Sequence, residues 1–422
     1  MSTMSEIRPL PCKLPPSAEG AVIIVKRLVK AGHSALLAGG CTRDLLLGRQ
    51  PTDYDVATDA PPERISALFR TTRMVGAQFG VVLVRQQRLW IEVATFRTDG
   101  PYRDGRHPDV VRFTNAREDA RRRDFTVNGM FLDPLARTVI DYVGGQTDLE
   151  AGIIRAIGEP TARFEEDHLR LVRAVRFAAR LAFEIEPVTL AAIRENADKL
   201  TRVAAERVCE ELRKMLEHSS RQVAYRLLHE TGLLPHLWPA ATWEPTHIAA
   251  AEDLLGRLPA DAGFELAFAA LLADRPVQEL ERITRALTFS NEQRVNVAWL
   301  VQHRSDLQQP ESCRLAALKR LMAHQVFHML RQWTEVDYET RPDGPQRRAV
   351  LHQRLAAIPP ESIAPAPFAT GDDLAQRRLP PGPLYAEILD ILYTRQLDES
   401  LRSRTEALAA LDELLRERGA LQ

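Results

Sequence analysis

Strand-like sequence stops about a third of the way along this chain of 422 residues, and that break limits the fold more than any other feature. Up to about residue 145, short alternating or apolar runs recur at 34–38, 53–58, 81–85, 89–95, 131–133 and 139–142. Helices are expected among them at 18–31, 42–47 and 61–69. After the break, 149–157, 165–183, 187–200 and 204–216 all carry helical spacing. The same pattern continues through 222–231, 249–255, 266–272, 276–287 and 291–303. The expectation is an α+β chain: a small mixed-sheet head followed by an all-helical remainder. Segment 97–112 is polar and rich in glycine and proline, and reads as a mobile loop. Prolines at 359, 360, 365 and 367 mark a linker before a last helical segment, 383–418.

Composition removes several classes. Apolar residues make up 45% and charged residues 27%, the balance of a globular protein and not of a disordered one. No apolar run is long enough to span a membrane, and 1–16 shows no secretory signal. The four cysteines are scattered without a CxxC pair, which argues against a zinc site and a disulfide framework. A reducing, cytoplasmic setting is expected. Net charge is −1, so no global positive field draws nucleic acid, and local clusters decide. Those clusters are arginine, the side chain suited to forked contacts with phosphates and base edges.

Between Gly39 and Thr58 the chain reads GGCTRDLLLGRQPTDYDVAT. Asp53 and Asp55 are expected to alternate on a strand, so that both carboxylates leave one face. Two such carboxylates can share hard cations such as Mg2+, which take oxygen ligands and bridge to substrate phosphates. A two-metal site of this kind would activate an attacking hydroxyl and neutralise a leaving pyrophosphate. Gly39 and Gly40 would let backbone amides approach a triphosphate, and Arg43 could clamp its oxygens. Acidic pairs on strand edges are common, so the pair draws its weight from the glycines and arginine beside it. Glu92 interrupts the apolar strand LWIEVATF, where an unpaired buried acid would be costly. It either faces solvent or completes the metal cage. A dinucleotide fingerprint, GxGxxG opening a helix, is absent.

Two further clusters carry arginines. Arg121 to Asn128, RRRDFTVN, is either a basic solvated helix end or a phosphate site. In the second case Arg122 and Arg123 neutralise charge, while Asp124 and Asn128 orient phosphates or a nucleotide sugar. The other cluster begins Glu166-Asp167-His168-Leu169-Arg170 and runs on to Arg173, Arg176 and Arg180. Its arginines share one helical face, opposite Leu171, Val172 and Val175, a pattern usual for a solvated surface helix. Asp167, one turn from Arg170, sets an acceptor beside a donor. Cytosine and adenine each present an amino donor beside a ring-nitrogen acceptor, so one Asp/Arg pair matches both. Uracil and guanine reverse the pattern and would leave buried groups unpaired.

With these three blocks in hand, the chain resembles the class II tRNA nucleotidyltransferases, the bacterial CCA-adding enzymes, and their relatives the bacterial poly(A) polymerases. The first block looks like the family's nucleotide and metal motif. RRDFTVNGM looks like its ribose-contacting motif, with Gly129 where the family usually has alanine. EDHLRLVRAVRFAARLAFEIEP looks like the neck helix carrying EDxxR. The likeness is close from Leu36 to Thr189 and looser beyond, through TGDDL and PPGPLYAEIL.

The resemblance implies metal ligands Asp53 and Asp55, and nucleotide contacts from Gly40, Arg43, Arg122 or Arg123, Asp167, Arg170, Arg173 and Arg176. It implies a DNA polymerase beta-like head at 34–145 after an extension and first helix at 1–33. A neck at 146–220, a helical body at 221–358 and a tail at 359–422 would follow. The implied activity is Mg2+-dependent addition of C, C and A to tRNA 3′ ends from CTP and ATP, without a nucleic-acid template. An A-adding-only enzyme or a poly(A) polymerase is the alternative, and a catalytically silent RNA-binding protein a remote one. FAALLAD at 268–274 has Ala273 where the histidine of an HD hydrolase domain would sit, so no such activity is expected. RTDGPYRDGRHPD at 97–109 looks full length, which favours an enzyme able to add the terminal A. VGAQFGVVLV at 75–84 is closer to the CCA-adding pattern than to the arginine-rich motif of poly(A) polymerases. Arg207, Arg213 and Arg221 are candidate RNA contacts on helices that are otherwise read as solvated.

Overall fold

In a computed structural model, which describes residues 6–75, 80–100, 111–238, 241, 243–380 and 382–418, the alternating segments of the first third join one sheet. Its strands are β1 (Glu6–Pro9), β2 (Ala35–Ala38), β3 (Asp55–Thr58), β4 (Thr72–Met74), β5 (Val81–Gln86) and β6 (Leu89–Thr95). Two more strands, β7 (Arg97–Asp99) and β8 (Val111–Phe113), form a separate antiparallel ribbon. β9 (Phe131–Asp133) and β10 (Thr138–Asp141) complete the sheet, whose order is β1-β10-β9-β2-β3-β6-β5-β4. The pairing of β3 with β6 is parallel and its neighbours are antiparallel, so the sheet is mixed, as expected.

Period-two patterning determines which face closes. Val82, Val84, Ile91, Val93 and Val56 are buried, and helices α1 (Glu19–Lys30), α2 (Gly40–Leu46) and α3 (Pro62–Leu68) follow the strands they flank. α1 and α3 pack on β5 and β6, with Ile24, Val25, Leu28 and Ile65 facing inward. Each such aliphatic contributes about 1.5–3 kcal/mol of burial before entropy. The alternate residues Asp55, Leu83, Arg85, Trp90 and Glu92 lie on the opposite, open face. β5 and β6 are joined by Gln87 and Arg88, both at positive φ (50° and 68°), as a two-residue hairpin with strand-matching twist requires. Neither is glycine, at a cost of roughly 1 kcal/mol each.

The sequence reading is corrected in several places, among them 149–157, where the helix ends at Ala151 and residues 153–154 pair as a strand. The N-terminal segment is not only a leader to the first helix, because β1 pairs along the whole of β10. Residues 72–74, unassigned from the sequence, form the edge strand β4. The ends of the 97–112 loop are paired as β7 and β8; its centre, 101–110, lies outside the described residues, as do 76–79 of VGAQFGVVLV. Lastly, 165–183 is not one helix, as described below.

Helices continue the chain: α4 (Ala116–Arg121), α5 (Gly145–Ala151), α6 (Pro160–Glu166), α7 (Leu169–Leu181), α8 (Pro187–Glu195), α9 (Ala205–Leu216) and α10 (Arg221–Glu230). They share a compact unit with the sheet, Met1–Glu244 with Arg285–Thr288. A second unit, Pro245–Thr284 with Phe289–Gln422, is helical throughout its described elements. In it the rings of Phe264, Phe268 and Phe289 pack together at a tilt, and a separate core forms around Leu374, Ile388, Leu411 and Leu415. No helix among the described residues is long and apolar enough to cross a membrane.

Candidate active site

β2 and β3 run antiparallel with Ala38 opposite Asp55, so the glycines that end β2 lie beside the carboxylate that opens β3. Gly39 holds φ at 72°, and a Cβ there would come within 2.9 Å of Arg123 Nη1. Only glycine allows both the turn and the guanidinium. Asp53 is not on the strand as expected: it sits in the preceding loop, where it accepts the Thr52 hydroxyl. β6 runs parallel to β3 with Val93 beside Val56, which sets Glu92 next to Asp55. Glu92 is thus both solvent-facing and part of the acidic group. The Asp55 carboxyl is pushed up to about 6, by lost hydration first, then by Glu92 and Asp53, with Arg123 partly offsetting them. Among the described residues no three His, Cys, Asp or Glu side chains are gathered into a preformed metal cage. Neighbouring acids that raise the proton affinity of Asp55 are equally a seat for a hard cation that completes its shell with substrate oxygens.

A lattice of paired charges lies beside this acidic edge. Arg43 is buried on α2, donating from Nη1 to Asn128 Oδ1 (2.5 Å) and from Nε to Asp44 (2.9 Å). The Asn128 amide donates to Asp124 (3.1 Å), and Arg173 donates to Asp124 Oδ2 from Nε (3.0 Å) and Nη2 (2.6 Å). Glu211 then takes Arg173 at 3.5 Å and Arg176 at 2.5 Å. The guanidiniums of Arg43, Arg173 and Arg176 surround the Phe177 ring at 5.3, 5.3 and 4.2 Å. Burial works to raise the Asp124 carboxyl, but Arg173 and the Asn128 and Phe125 hydrogen bonds bring it down to about 2. On the other side, Arg122 and Arg123 both hold Asp119, at 2.8 and 3.0 Å. Burial there too opposes ionisation, and Arg123 and Arg122 hold the Asp119 carboxyl below its usual range.

The solvated reading of the arginine stripe is therefore wrong for most of it. Arg170 and Arg176 are 8% and 7% exposed, while Arg180 at the helix end is exposed. A helix can bury arginines when acids from neighbouring elements neutralise them. The same holds for Arg121 to Asn128, whose Asp124 and Asn128 are buried.

The helix carrying the third block is broken. α6 ends at Glu166, Asp167 is extended (φ −148°, ψ 102°), and α7 starts at Leu169. Asp167 is thus not one helical turn from Arg170. Its Oδ1 accepts from the Leu169 amide (3.1 Å) and from Arg207 Nη1 (3.1 Å), and its Oδ2 from Arg207 Nη2 (2.8 Å). Three of a carboxylate's roughly four acceptor directions are used, leaving one on Oδ2. Arg170 donates from Nη1 to Glu166 (2.6 Å) and the Arg163 carbonyl (3.0 Å), and from Nη2 to the Arg122 carbonyl (2.9 Å). Of its five N–H groups, Nε–H and one on Nη2 are uncommitted.

Several functional neighbours escaped the sequence reading. Glu211 is 3% exposed and joins two arginines, and its one legible sign is helical spacing with Val208 and Met215 on the buried side of α9. Arg207 appeared only as an RNA candidate, although it grips Asp167. Arg221, another such candidate, is 1% exposed and donates to the Leu216 carbonyl, so it offers no RNA surface. Arg213 pairs loosely with Glu210 and Glu217. Gly129 also has its reason: a Cβ there would meet Val143 Cγ2 at 2.7 Å and Ile157 Cδ1 at 3.0 Å.

Comparison with known proteins accounts for this arrangement. Residues 35–155 match the family described as poly A polymerase head domain, and 182–243 a probable RNA- and SrmB-binding site of polymerase A. A CCA-adding enzyme of Geobacillus stearothermophilus is 33% identical over 402 residues, 94% of this chain and 96% of the relative. The chain belongs to the class II tRNA nucleotidyltransferase and poly(A) polymerase family. Poly(A) polymerase I of Escherichia coli O6:H1 is 42% identical, but over 236 residues, 53% of this chain and 51% of that one. The crystal structure of Bacillus stearothermophilus CCA-adding enzyme in complex with CTP superposes with a TM-score of 0.79 at 29% identity, covering 96% of this chain and 99% of the other. The protein is accordingly a nucleotidyltransferase of this family, with its mixed-sheet head and helical remainder.

Proposed function

We propose that this enzyme adds C, C and A to the 3′ end of tRNA from CTP and ATP, releasing pyrophosphate and using no nucleic-acid template. The observation that carries this reading is the reach of the likeness. Similarity to two Geobacillus CCA-adding enzymes runs over 94% of the chain, whereas the matches to poly(A) polymerases, like those to some other CCA-adding enzymes, cover about half of it.

In this reading Asp53 and Asp55 hold a divalent cation, Mg2+, and Glu92 adds negative field beside them. When bound, the cation supplies a lowered pKa for the attacking 3′ hydroxyl and charge neutralisation for the departing pyrophosphate. The glycine turn at 39–40 and Arg43 receive the triphosphate, and Arg122 and Arg123 add positive field. Asp124 and Asn128, locked by Arg173 and Arg43, are the ribose-facing pair. Asp167 keeps one acceptor direction and Arg170 two donors, which suits the amino and ring-nitrogen groups of cytosine and adenine. Arg173 and Arg176 act through the lattice, holding Asp124 and Glu211 in place.

The test is extension of a tRNA ending at its discriminator base, with Mg2+ and CTP, ATP or both. Growth by two with CTP and by three with both supports the reading. A single A added only to a tRNA already ending in CC, or a long A ladder, would reassign the enzyme within its family.

A further inference from the structure

The acidic edge has two sides across the sheet. On one lie β2, the glycine turn and the arginine lattice. On the other, the open face of the sheet continues from Glu92 through β5 to the edge strand β4. Register fixes what stands there: Leu83 opposite Glu92, Arg85 opposite Trp90, and Arg73 opposite Leu83. Trp90 points to the same face as Glu92 and lies two residues, roughly 7 Å, from it along β6. The Arg73 guanidinium sits 4.5 Å from the Trp90 ring centroid and that of Arg85 6.0 Å. Trp90 remains 36% exposed, beside the exposed Leu89 and Arg88 of the hairpin tip.

This patch differs from the arginine lattice. The arginines of the lattice are all engaged by acids or carbonyls, whereas Arg73, Arg85 and Arg88 have no carboxylate partner among the described residues. Two arginines without a carboxylate partner against a part-exposed indole, with a third at the adjoining hairpin tip, constitute a poor protein core and a good seat for a polyanion with flat bases. With the triphosphate on the β2 side, the strand that attacks it must approach the carboxylates from elsewhere, and this face leads directly to them.

We propose that Trp90, Arg73 and Arg85 form a subsite for the single-stranded 3′ end of the acceptor RNA, stacking a base just upstream of the reacting nucleotide and holding its phosphates. The inference rests on the function proposed above and assigns the acceptor's path on the head.

The test uses the full chain with Trp90→Ala, Trp90→Phe and Arg73→Ala/Arg85→Ala, each checked for an unchanged thermal melt. Binding of tRNA lacking its CCA end is measured by fluorescence anisotropy without nucleotide over a range of salt, beside extension kinetics. Trp90→Ala should weaken RNA binding and raise the KM for RNA about tenfold, with Trp90→Phe near wild type. The double arginine variant should lower the salt slope by roughly 0.7 for each phosphate it no longer neutralises. The KM values for CTP and ATP should not move. Unchanged RNA binding in both variants would overturn the proposal, including the case in which they alter only sedimentation and the patch is a self-association face. If wild type binds RNA through Trp90 but does not extend it, the function reading fails and the subsite stands. If wild type extends tRNA and the variants match it, the subsite alone fails.

Discussion

The acidic edge and the arginine lattice sit side by side in one compact unit, yet treat charge in opposite ways. At the edge, Asp55 stands beside Glu92 and Asp53, and their mutual repulsion helps to hold its carboxyl near 6. In the lattice, Asp124 is more deeply buried, but Arg173 and Asn128 bring it to about 2. The chain has cations enough to neutralise both, and places them in the lattice. Charge left unbalanced marks where a ligand's charge is to arrive; balanced charge marks the frame that positions it.

The comparison breaks first at the carboxylates. Asp53→Ala and Asp55→Ala should each lower kcat by at least about a thousandfold while circular dichroism stays unchanged, because in the proposed function they hold the cation and not the fold. Activity within tenfold of wild type would mean that the unbalanced edge is not the reaction centre. Next comes Glu211→Gln, which leaves the buried Arg176 without its acid while Arg173 keeps Asp124, and should cost about 3 kcal/mol in urea unfolding. A loss below about 1 kcal/mol would make the lattice a surface feature after all.

Acid titration sharpens the same contrast. The folded carboxyl of Asp124 lies below its ordinary value, so its contribution is complete above about pH 4 and is lost as pH falls toward 2. That contribution is of the order of 2 kcal/mol. Asp124→Asn should therefore flatten the stability profile between pH 4 and 2, and an unchanged slope would contradict the pairing. The smallest effect is expected at Arg207→Ala. Freed from its fork, Asp167 should discriminate CTP from UTP about tenfold less well, with little change in stability. Undiminished selectivity would show that the Asp167 carboxylate is held well enough by the Leu169 amide alone.

Much of the head was legible because period-two patterning and glycine punctuation are local signals. β2, β5, β6 and β9 begin and end within a residue or two of the segments read from the sequence. β4 and β1 were not legible, since Thr72–Met74 and Glu6–Pro9 are short edge strands whose only reason to be extended is the neighbour they pair with. The helix break at Asp167 was missed for a related reason. Nothing in EEDHLRL interrupts helical spacing, and the extended turn is stabilised by Arg207, forty positions away. Among site residues, the arginines were visible as a cluster while their acids were not. Asp119 and Glu211 look like any surface acids until burial is known.

What the sequence determined by itself was an α+β architecture and the inventory of the site: glycines, paired aspartates, arginine blocks and the Asp167/Arg170 motif. Those follow from residue type and spacing, which act over a few neighbours. Tertiary structure decided which charges are paired and which remain open. Arg176 is a buried strut and Arg85 an open cation, although residue type alone does not tell them apart. The physical reason is that compensation depends on which distant carboxylate the fold brings within about 3 Å, and screening in water makes all other pairings nearly worthless.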